Sequence, residues 1–338
     1  MVEMSPYVLD IQECSKRIDL SQLEGSNILI TGATGLIGGS LVDVLMNARC
    51  QVYALGRNEE RAKKRFADYW NSDSFHFIKG DVTKPLSCNI NFDYIIHAAS
   101  NASPNFFKEK PVEVITSNII GTQNLMEYGL SHGMKRILFV SSGEIYGEGS
   151  GKEFVETDSG YVDCATPRAC YPSSKRAAET LCVSYAAEYG VDVVIARPCH
   201  TYGPFFSESD NRVYAQFIRN VLKGEDIVLK SKGEQLFSYT YVADAVGAML
   251  HVLLHGEEGV AYNIANEACN VRLKDFAQLC AEWADKQVVF ELPSETEQKG
   301  FSIAMRAVLD NSRLKGLNWH PQYAIKDAVC RTLSILKS

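Results

Sequence analysis

The run Thr31-Gly-Ala-Thr-Gly-Leu-Ile-Gly38 constrains this chain more than any other feature, because of what lies on either side of it. Before it, Asn27-Ile-Leu-Ile-Thr31 is a short apolar stretch bounded by Gly25 and Gly32, the signature of a strand buried on both faces. After it, apolar residues recur at helical spacing from Leu36 to Met46. Strand, glycine turn and helix together aim the free amides and positive dipole end of a helix N-terminus at phosphate. Gly32 permits the tight turn, Gly35 lets the backbone approach a pyrophosphate, and Gly38 allows the helix to pack closely. Thr34, Leu36 and Ile37 complete the expected contact with a dinucleotide.

The unit then repeats. Gln51–Leu55 and Phe75–Ile78 read as strands around a helix over Asn58–Trp70. Tyr94–Ala98, Ile137–Val140 and Val191–Ala196 read as further buried strands, with helices at roughly 112–132 and 172–189. This alternation predicts an α/β fold, a doubly wound parallel sheet of Rossmann type. Past Arg197 the pattern loosens around Pro198, Gly203 and Pro204. Helices are expected over Asp210–Leu222, Ala243–Leu254, Leu273–Ala284 and Ala324–Leu336, with strands at Ile227–Lys230, Leu236–Tyr239 and Tyr262–Ile264. The 338 residues therefore divide into an N-terminal extension (1–25), a dinucleotide-binding domain (26–196) and a smaller α/β substrate-binding domain (197–338).

Charge excludes one class of partner. Against 34 Lys and Arg stand 41 Asp and Glu, a net charge of -7, whereas nucleic acid demands a basic surface. The basic run Arg61, Lys63, Lys64 and Arg65 reads as the solvated face of a helix. No stretch reaches the ~20 apolar residues of a membrane-spanning helix. Residues 1–20 hold Glu3, Asp10, Glu13 and Asp19 and lack the apolar core of a secretory signal. Ten cysteines without a C-x-x-C pair suit free thiols in the cytoplasm, and the seven histidines add no ligand set for a metal.

The tip of the second strand chooses between the two nicotinamide dinucleotides, since an acid there would accept the ribose hydroxyls and repel a 2′-phosphate. Here the strand ends Leu55-Gly56-Arg57-Asn58. With no carboxylate at the tip and Arg57 and Arg61 nearby, NADP is favoured over NAD, the plainer alternative being that Arg57 is a solvent-facing turn residue. Asp81 and Val82, after the third strand, are expected near the adenine.

Tyr171-Pro-Ser-Ser-Lys175 places a phenol and an ammonium four residues apart on one face of a helix whose first turn carries Pro172. A phenol titrates near 10, too high for a base at neutral pH, and a neighbouring ammonium favours the phenolate. A predicted strand ends at Ser141-Ser142, and Glu144 follows two residues on, sharing a face with Ser142 in an extended chain. Ser142, Glu144, Tyr171 and Lys175 are the candidate catalytic group.

From about residue 26 to 330 the chain resembles the extended short-chain dehydrogenase/reductases, the nucleotide-sugar epimerases, dehydratases and decarboxylases. The likeness is carried by Thr31 to Gly38, His97-Ala-Ala-Ser100, Ser141-Ser-Gly-Glu-Ile-Tyr-Gly147, Tyr171 to Lys175, Arg197-Pro-Cys-His-Thr-Tyr-Gly-Pro204 and Tyr241-Val-Ala-Asp244. Within that family it looks most like the UDP-glucuronate decarboxylases. That likeness rests on His97-Ala-Ala-Ser-Asn-Ala-Ser-Pro104 with Pro111-Val112, Pro167-Arg-Ala-Cys-Tyr171, Lys175-Arg-Ala-Ala-Glu-Thr-Leu181 and Asn211-Arg212-Val213.

The resemblance implies a tightly bound, recycled NAD(P), a nucleotide-diphosphate sugar as substrate, and a homodimer built on a four-helix bundle. It implies that Tyr171 takes the proton of the sugar 4-hydroxyl while the C4 hydride leaves for the nicotinamide. Lys175 would lower the phenol pKa and hold the nicotinamide ribose, Ser142 would bind the same sugar oxygen, and Glu144 would work near C5. Ala98 and Ala99 fall beside the cofactor. Arg306, thirteen residues before Trp319, falls where the decarboxylases place an Arg that touches substrate, and Arg212 and His200 are candidate phosphate contacts. Plainer readings stand beside these: Glu144 paired with a surface Lys, Arg212 on a helix surface, His200 as a satisfied buried histidine.

Three departures bear on the substrate. Gly143 stands where dehydratases carry Asp and decarboxylases a small hydroxyl residue, Phe237 where the family has an Arg for the diphosphate, and His200 where it has Asn. On a uronic acid, C4 oxidation makes a β-keto acid that loses carbon dioxide. On a neutral sugar, a rotated ketone reduced from its other face gives a 4-epimerase, and 4,6-dehydration comes third. A dinucleotide sensor without chemistry is the non-enzymatic alternative, and the intact Ser142, Tyr171 and Lys175 count against it.

Overall fold

The structure is a computed structural model that describes residues 5–207, 210–291 and 306–337. Its central sheet has seven parallel strands: β1 (Asn27–Thr31), β2 (Gln51–Gly56), β3 (Phe75–Lys79), β4 (Tyr94–His97), β5 (Arg136–Val140), β6 (Val193–Pro198) and β10 (Ala261–Ile264). Their spatial order is β10-β6-β5-β4-β1-β2-β3. The order reverses between β1 and β4, so the crevice beyond their carboxyl ends is the place where a ligand enters such a sheet.

Alternating residues of each strand feed two separate cores. Ile28 and Ile30 of β1 pack with α1 (Pro6–Lys16), α2 (Leu36–Leu45) and α8 (Val242–His255). Leu29 joins the other core, with residues of α5 (Pro111–Ser131) and α6 (Cys170–Tyr189). Between α2 and α5 lie α3 (Glu59–Arg65) and α4 (Pro104–Glu109). A second sheet sets β9 (Leu236–Tyr241) between β11 (Asn270–Arg272) and β13 (Arg306–Ala307), with β7 (His200–Tyr202) also paired to β9. A short pair, β8 (Ile227–Leu229) with β12 (Val288–Phe290), and helices α7 (Val213–Leu222), α9 (Leu273–Trp283), α10 (Ser312–Gly316) and α11 (Ile325–Lys337) complete the described chain.

The doubly wound parallel sheet agrees with the sequence expectation, and three local differences have physical causes. The helix expected over 58–70 ends at Arg65, after which Phe66, Tyr69 and Trp70 turn inward to cluster on Phe75. Nor is its basic run wholly solvated, because Arg65 folds in and pairs with the buried Asp43. The helix expected from Asp210 starts at Val213, since the Asp210 carboxylate accepts the Arg212 amide at 3.0 Å and holds a turn there.

The expected boundaries at 25 and 196 are crossed by packing. Segment 261–264, in the expected second domain, supplies β10 to the dinucleotide sheet, and α8 lies against β5 and β6. The N-terminal extension holds α1, capped by Ser5. The Tyr7 hydroxyl of α1 bonds Ser40 at 3.0 Å and Asp43 at 2.5 Å, while Asp10 accepts from Tyr241 at 2.7 Å and Arg331 at 2.5 Å. Residues 5–16 thereby tie α2, β9 and α11 together. All ten cysteines are free thiols, and no described helix is long and apolar enough to cross a membrane.

Candidate active site

Beyond the ends of β1 and β4 the chain encloses a cavity of about 1650 Å³. One end is lined by Gly32, Thr34 to Gly38, Arg57, Asp81, Val82, Ala98 and Ala99, the other by Ser142, Glu144, Tyr171, Lys175, His200 and Arg212. A single drug-sized ligand occupies roughly 300–1000 Å³, so there is room for two. Gly32 has φ +67°, and a Cβ on it would stand 2.7 Å from the Ala98 oxygen. A Cβ on Gly38 would overlap the Gly32 carbonyl. With Gly35 at its N-cap and no side chain capping it, α2 presents its first amides to the cavity unshielded. This cradle fits the pyrophosphate of a dinucleotide.

Beside the cradle, Asp81 accepts the amide and hydroxyl of Thr83, each at 2.9 Å. Burial raises its pKa, but these two hydrogen bonds and Arg57 outweigh it and hold the carboxyl below its usual range. Arg57 pairs with Glu113 of α5 at 2.6 Å, and Arg61 donates to the Thr34 carbonyl at 3.1 Å. Glu113 is a cavity residue that sequence reading missed, because its carboxylate reaches the tip of β2 only through the fold.

Tyr171 stands in the first turn of α6, buried and stacked on Phe107 of α4 at 4.9 Å and 23°. Ser142, just beyond β5, accepts the Glu144 amide at 3.1 Å and starts the helical turn that carries Glu144. Burial, helped by the Glu144 charge, pushes the Tyr171 phenol up to about 12, against the Ser142 hydrogen bond and the positive charges of Arg212 and Arg168. Lys175 donates to the Val140 carbonyl at 2.7 Å and lies 5.9 Å from the Tyr171 ring centre. Burial pulls its pKa down to about 7 against the charge of Glu179. Burial thus works against the phenolate that Lys175 is expected to favour, and the positive charges that oppose burial at the phenol are those of Arg212 and Arg168. The hydroxyls of Ser100 and Ser141, both lining the cavity, are buried without a hydrogen-bond partner among the described residues.

Glu144 accepts from Arg168 at 2.8 Å, so its partner is a cavity arginine, not a surface lysine. Arg212 is committed to Asp210, donating from Nε at 3.0 Å and Nη2 at 2.5 Å. His200 is held neutral, burial and then Arg212 pulling its pKa down to about 4. It packs edge-on against Phe237 at 5.0 Å, so these two departures from the family pattern are a single aromatic contact. Arg306 does not line the cavity, although Ala307 beside it does. Neighbouring residues of a strand face opposite ways, and Arg306 pairs with Glu153 at 3.1 Å. Arg168 belongs to the run Pro167-Arg-Ala-Cys-Tyr171 that carries part of the family likeness, and its place beside Glu144 comes only from the fold.

The burial of Lys175 sets a pH dependence. Its ammonium titrates near 7 in the fold against 10.5 for a free lysine. Across that window the unfolded chain holds the extra proton, so the fold gains stability as pH rises. Lys175→Met removes the effect: the variant unfolds at higher urea than the parent at about pH 6, and the advantage shrinks towards about pH 10. An advantage constant over that range would show that the amine does not titrate there.

Residues 28–265 match the NAD dependent epimerase/dehydratase family. UDP-glucuronic acid decarboxylase 5 of Arabidopsis thaliana is 37% identical over 307 residues, which cover 89% of this chain and 86% of that protein. Among solved structures, UDP-glucose 4-epimerase of Thermotoga maritima aligns with a TM-score of 0.80 at 24% identity, over 92% of this chain and 98% of that one. The dTDP-glucose 4,6-dehydratase of Streptomyces venezuelae, solved with NAD bound, aligns with a TM-score of 0.78 at 22% identity, over 91% and 96%. The sheet, the glycine cradle and these relatives agree: this chain is an enzyme of the NAD-dependent epimerase/dehydratase family, one that modifies nucleotide-sugars.

Proposed function

We propose that the chain decarboxylates UDP-glucuronate by way of a transient 4-keto sugar. The observation that carries this reading is the gathering of Ser142, Glu144, Arg168 and Tyr171 at one end of a cavity whose other end is the glycine cradle. When bound, the oxidised dinucleotide supplies a hydride acceptor for C4 and a positive ring charge. Tyr171 takes the 4-hydroxyl proton, and Ser142 hydrogen-bonds the same oxygen. The C4 ketone is then β to the carboxylate, so the C5–C6 bond breaks, its electron pair passes into a C4–C5 enolate, and carbon dioxide leaves. Ser142 and the protonated Tyr171 stabilise the enolate oxygen. Glu144 is the group placed to manage the proton that C5 takes up, and Tyr171 returns its proton to the 4-oxygen when C4 is reduced again. The relation to a named UDP-glucuronic acid decarboxylase supports the substrate. A second reading, 4-epimerisation of a neutral sugar, draws on Gly143 and on the absence of Arg306 from the cavity.

The cofactor reading is NAD. Both cations near the tip of β2 are engaged, Arg57 by Glu113 and Arg61 by a backbone carbonyl, and Asp81 adds a second carboxylate beside Arg57. This weighs against the NADP preference that the bare sequence favours. The exposed apolar residues Val112, Ile115, Ile120, Val183 and Tyr189 along α5 and α6 support a homodimer through these helices. Ten free thiols suit a reducing compartment such as the cytoplasm.

Purified protein supplied with UDP-glucuronate and NAD is expected to release carbon dioxide. No release, together with interconversion of UDP-glucose and UDP-galactose, replaces decarboxylation with epimerisation. Tyr171→Phe is expected to lower kcat by about 10²–10⁴ while dinucleotide affinity, read by fluorescence titration, stays put. In the same titration NADH binds more tightly than NADPH, and Glu113→Gln narrows the gap by improving NADPH alone; a parent that prefers NADPH removes the NAD reading. Light scattering is expected to give about twice the 37.5 kDa chain mass, and a monomer at working concentration discards the dimer.

A further inference from the structure

We infer that Arg168 is the residue that reads the carboxylate of the sugar, and so sets a preference for an acidic sugar over a neutral one. The inference deepens the decarboxylase reading and rests on it. In a hexuronic acid the carboxylate carbon is bonded to C5, the neighbour of the C4 whose oxygen Tyr171 addresses. A cation that grips the carboxylate must therefore lie within a few ångströms of the Tyr171 phenol.

The cationic candidates can be taken in turn. Lys175 is spent on the Val140 carbonyl and driven towards neutrality. His200 is buried and neutral. Arg212 spends the Nε–Nη2 edge of its guanidinium in a bidentate grip on Asp210. Arg306 is outside the cavity and bound to Glu153.

Arg168 meets the requirement. It lies in the turn Pro167–Ala169, three residues ahead of Tyr171, and packs over Phe107 at 4.8 Å, the same ring on which Tyr171 stacks. Its charge, together with that of Arg212, acts on the Tyr171 phenol. The bond from Nη2 to Glu144 is its one polar contact among the described residues, and the side chain is 57% exposed. A guanidinium has five N–H donors, so most of the fork is free for a second carboxylate.

The arrangement answers a difficulty that Glu144 creates. A carboxylate placed near C5 would repel an acidic sugar, and an arginine shared between the two carboxylates removes that repulsion. Binding the sugar carboxylate to the free part of the fork brings C5 alongside Glu144, where a proton has to be delivered.

The test compares Arg168→Gln, Arg168→Lys and Arg306→Gln in the full chain with NADH present, so that no turnover begins, by calorimetric binding of UDP-glucuronate and of UDP-glucose. Arg168→Gln is expected to weaken UDP-glucuronate about 10- to 100-fold while UDP-glucose and NADH affinities change little, with Arg168→Lys recovering part of the loss. Equal weakening of both sugars by Arg168→Gln overturns the assignment, as does a selective loss of UDP-glucuronate in Arg306→Gln. Carbon dioxide release by the parent protein is followed separately. A parent that favours UDP-glucuronate through Arg168 yet releases no carbon dioxide keeps this residue's role and removes the decarboxylase reading.

Discussion

The approach of the Gly32 backbone to Ala98 and Ala99 is the contact on which the rest of the site depends. It leaves no volume for a side chain at Gly32, and it brings the ends of β1 and β4 together where the strand order reverses. A polar lock holds it: Thr31 Oγ1 lies 2.8 Å from His97 Nδ1, and the Ala99 amide donates to the same hydroxyl at 3.2 Å. Burial pulls the His97 pKa down to about 3, so the lock does not change its charge in the neutral range. Because Gly38 also sits on Gly32, the first amides of α2 are aimed by backbone packing alone.

The same closure that builds the cradle decides the electrostatics at the far end. Tyr171 and Lys175 are both driven towards their neutral forms, one upward and one downward, by removal from water. Positive charge near the Tyr171 phenol acts the other way, since a desolvated site magnifies every charge placed in it.

Polar bracing around the cavity is paired with care. Tyr7, Asp43 and Arg65 join the N-terminal helix to α2, whose first turn opens on the cavity, and Asp10 joins it to Tyr241 and Arg331. Farther along the cavity wall, His200 and Phe237 stand in one aromatic contact where the family pattern has two polar groups, beside the charged pair of Arg212 and Asp210. Family resemblance read one position at a time treats these as two losses, and contact in space makes them a single compensated change.

Much of the architecture was legible because periodicity and glycine placement are local properties. The six sheet strands before residue 200, the helices over 36–45, 111–131 and 170–189, and the cradle residues Gly32 to Gly38 all follow from apolar spacing and turn chemistry. β7, β11, β12 and β13, of two or three residues each, show no period of their own, and α1 is held mainly by distant partners. The glycine cradle and the group Ser142, Glu144, Tyr171 and Lys175 were also legible in the chain by itself, and all of them line the cavity. Only tertiary structure decided the pairings and the shifts: that Glu113 crosses to Arg57, that Arg168 rather than Arg306 stands beside Glu144, and that burial moves the Tyr171 pKa up and the Lys175 pKa down. Charge and ionisation depend on burial and on neighbours far apart in the chain, and neither is a property of a short stretch of sequence.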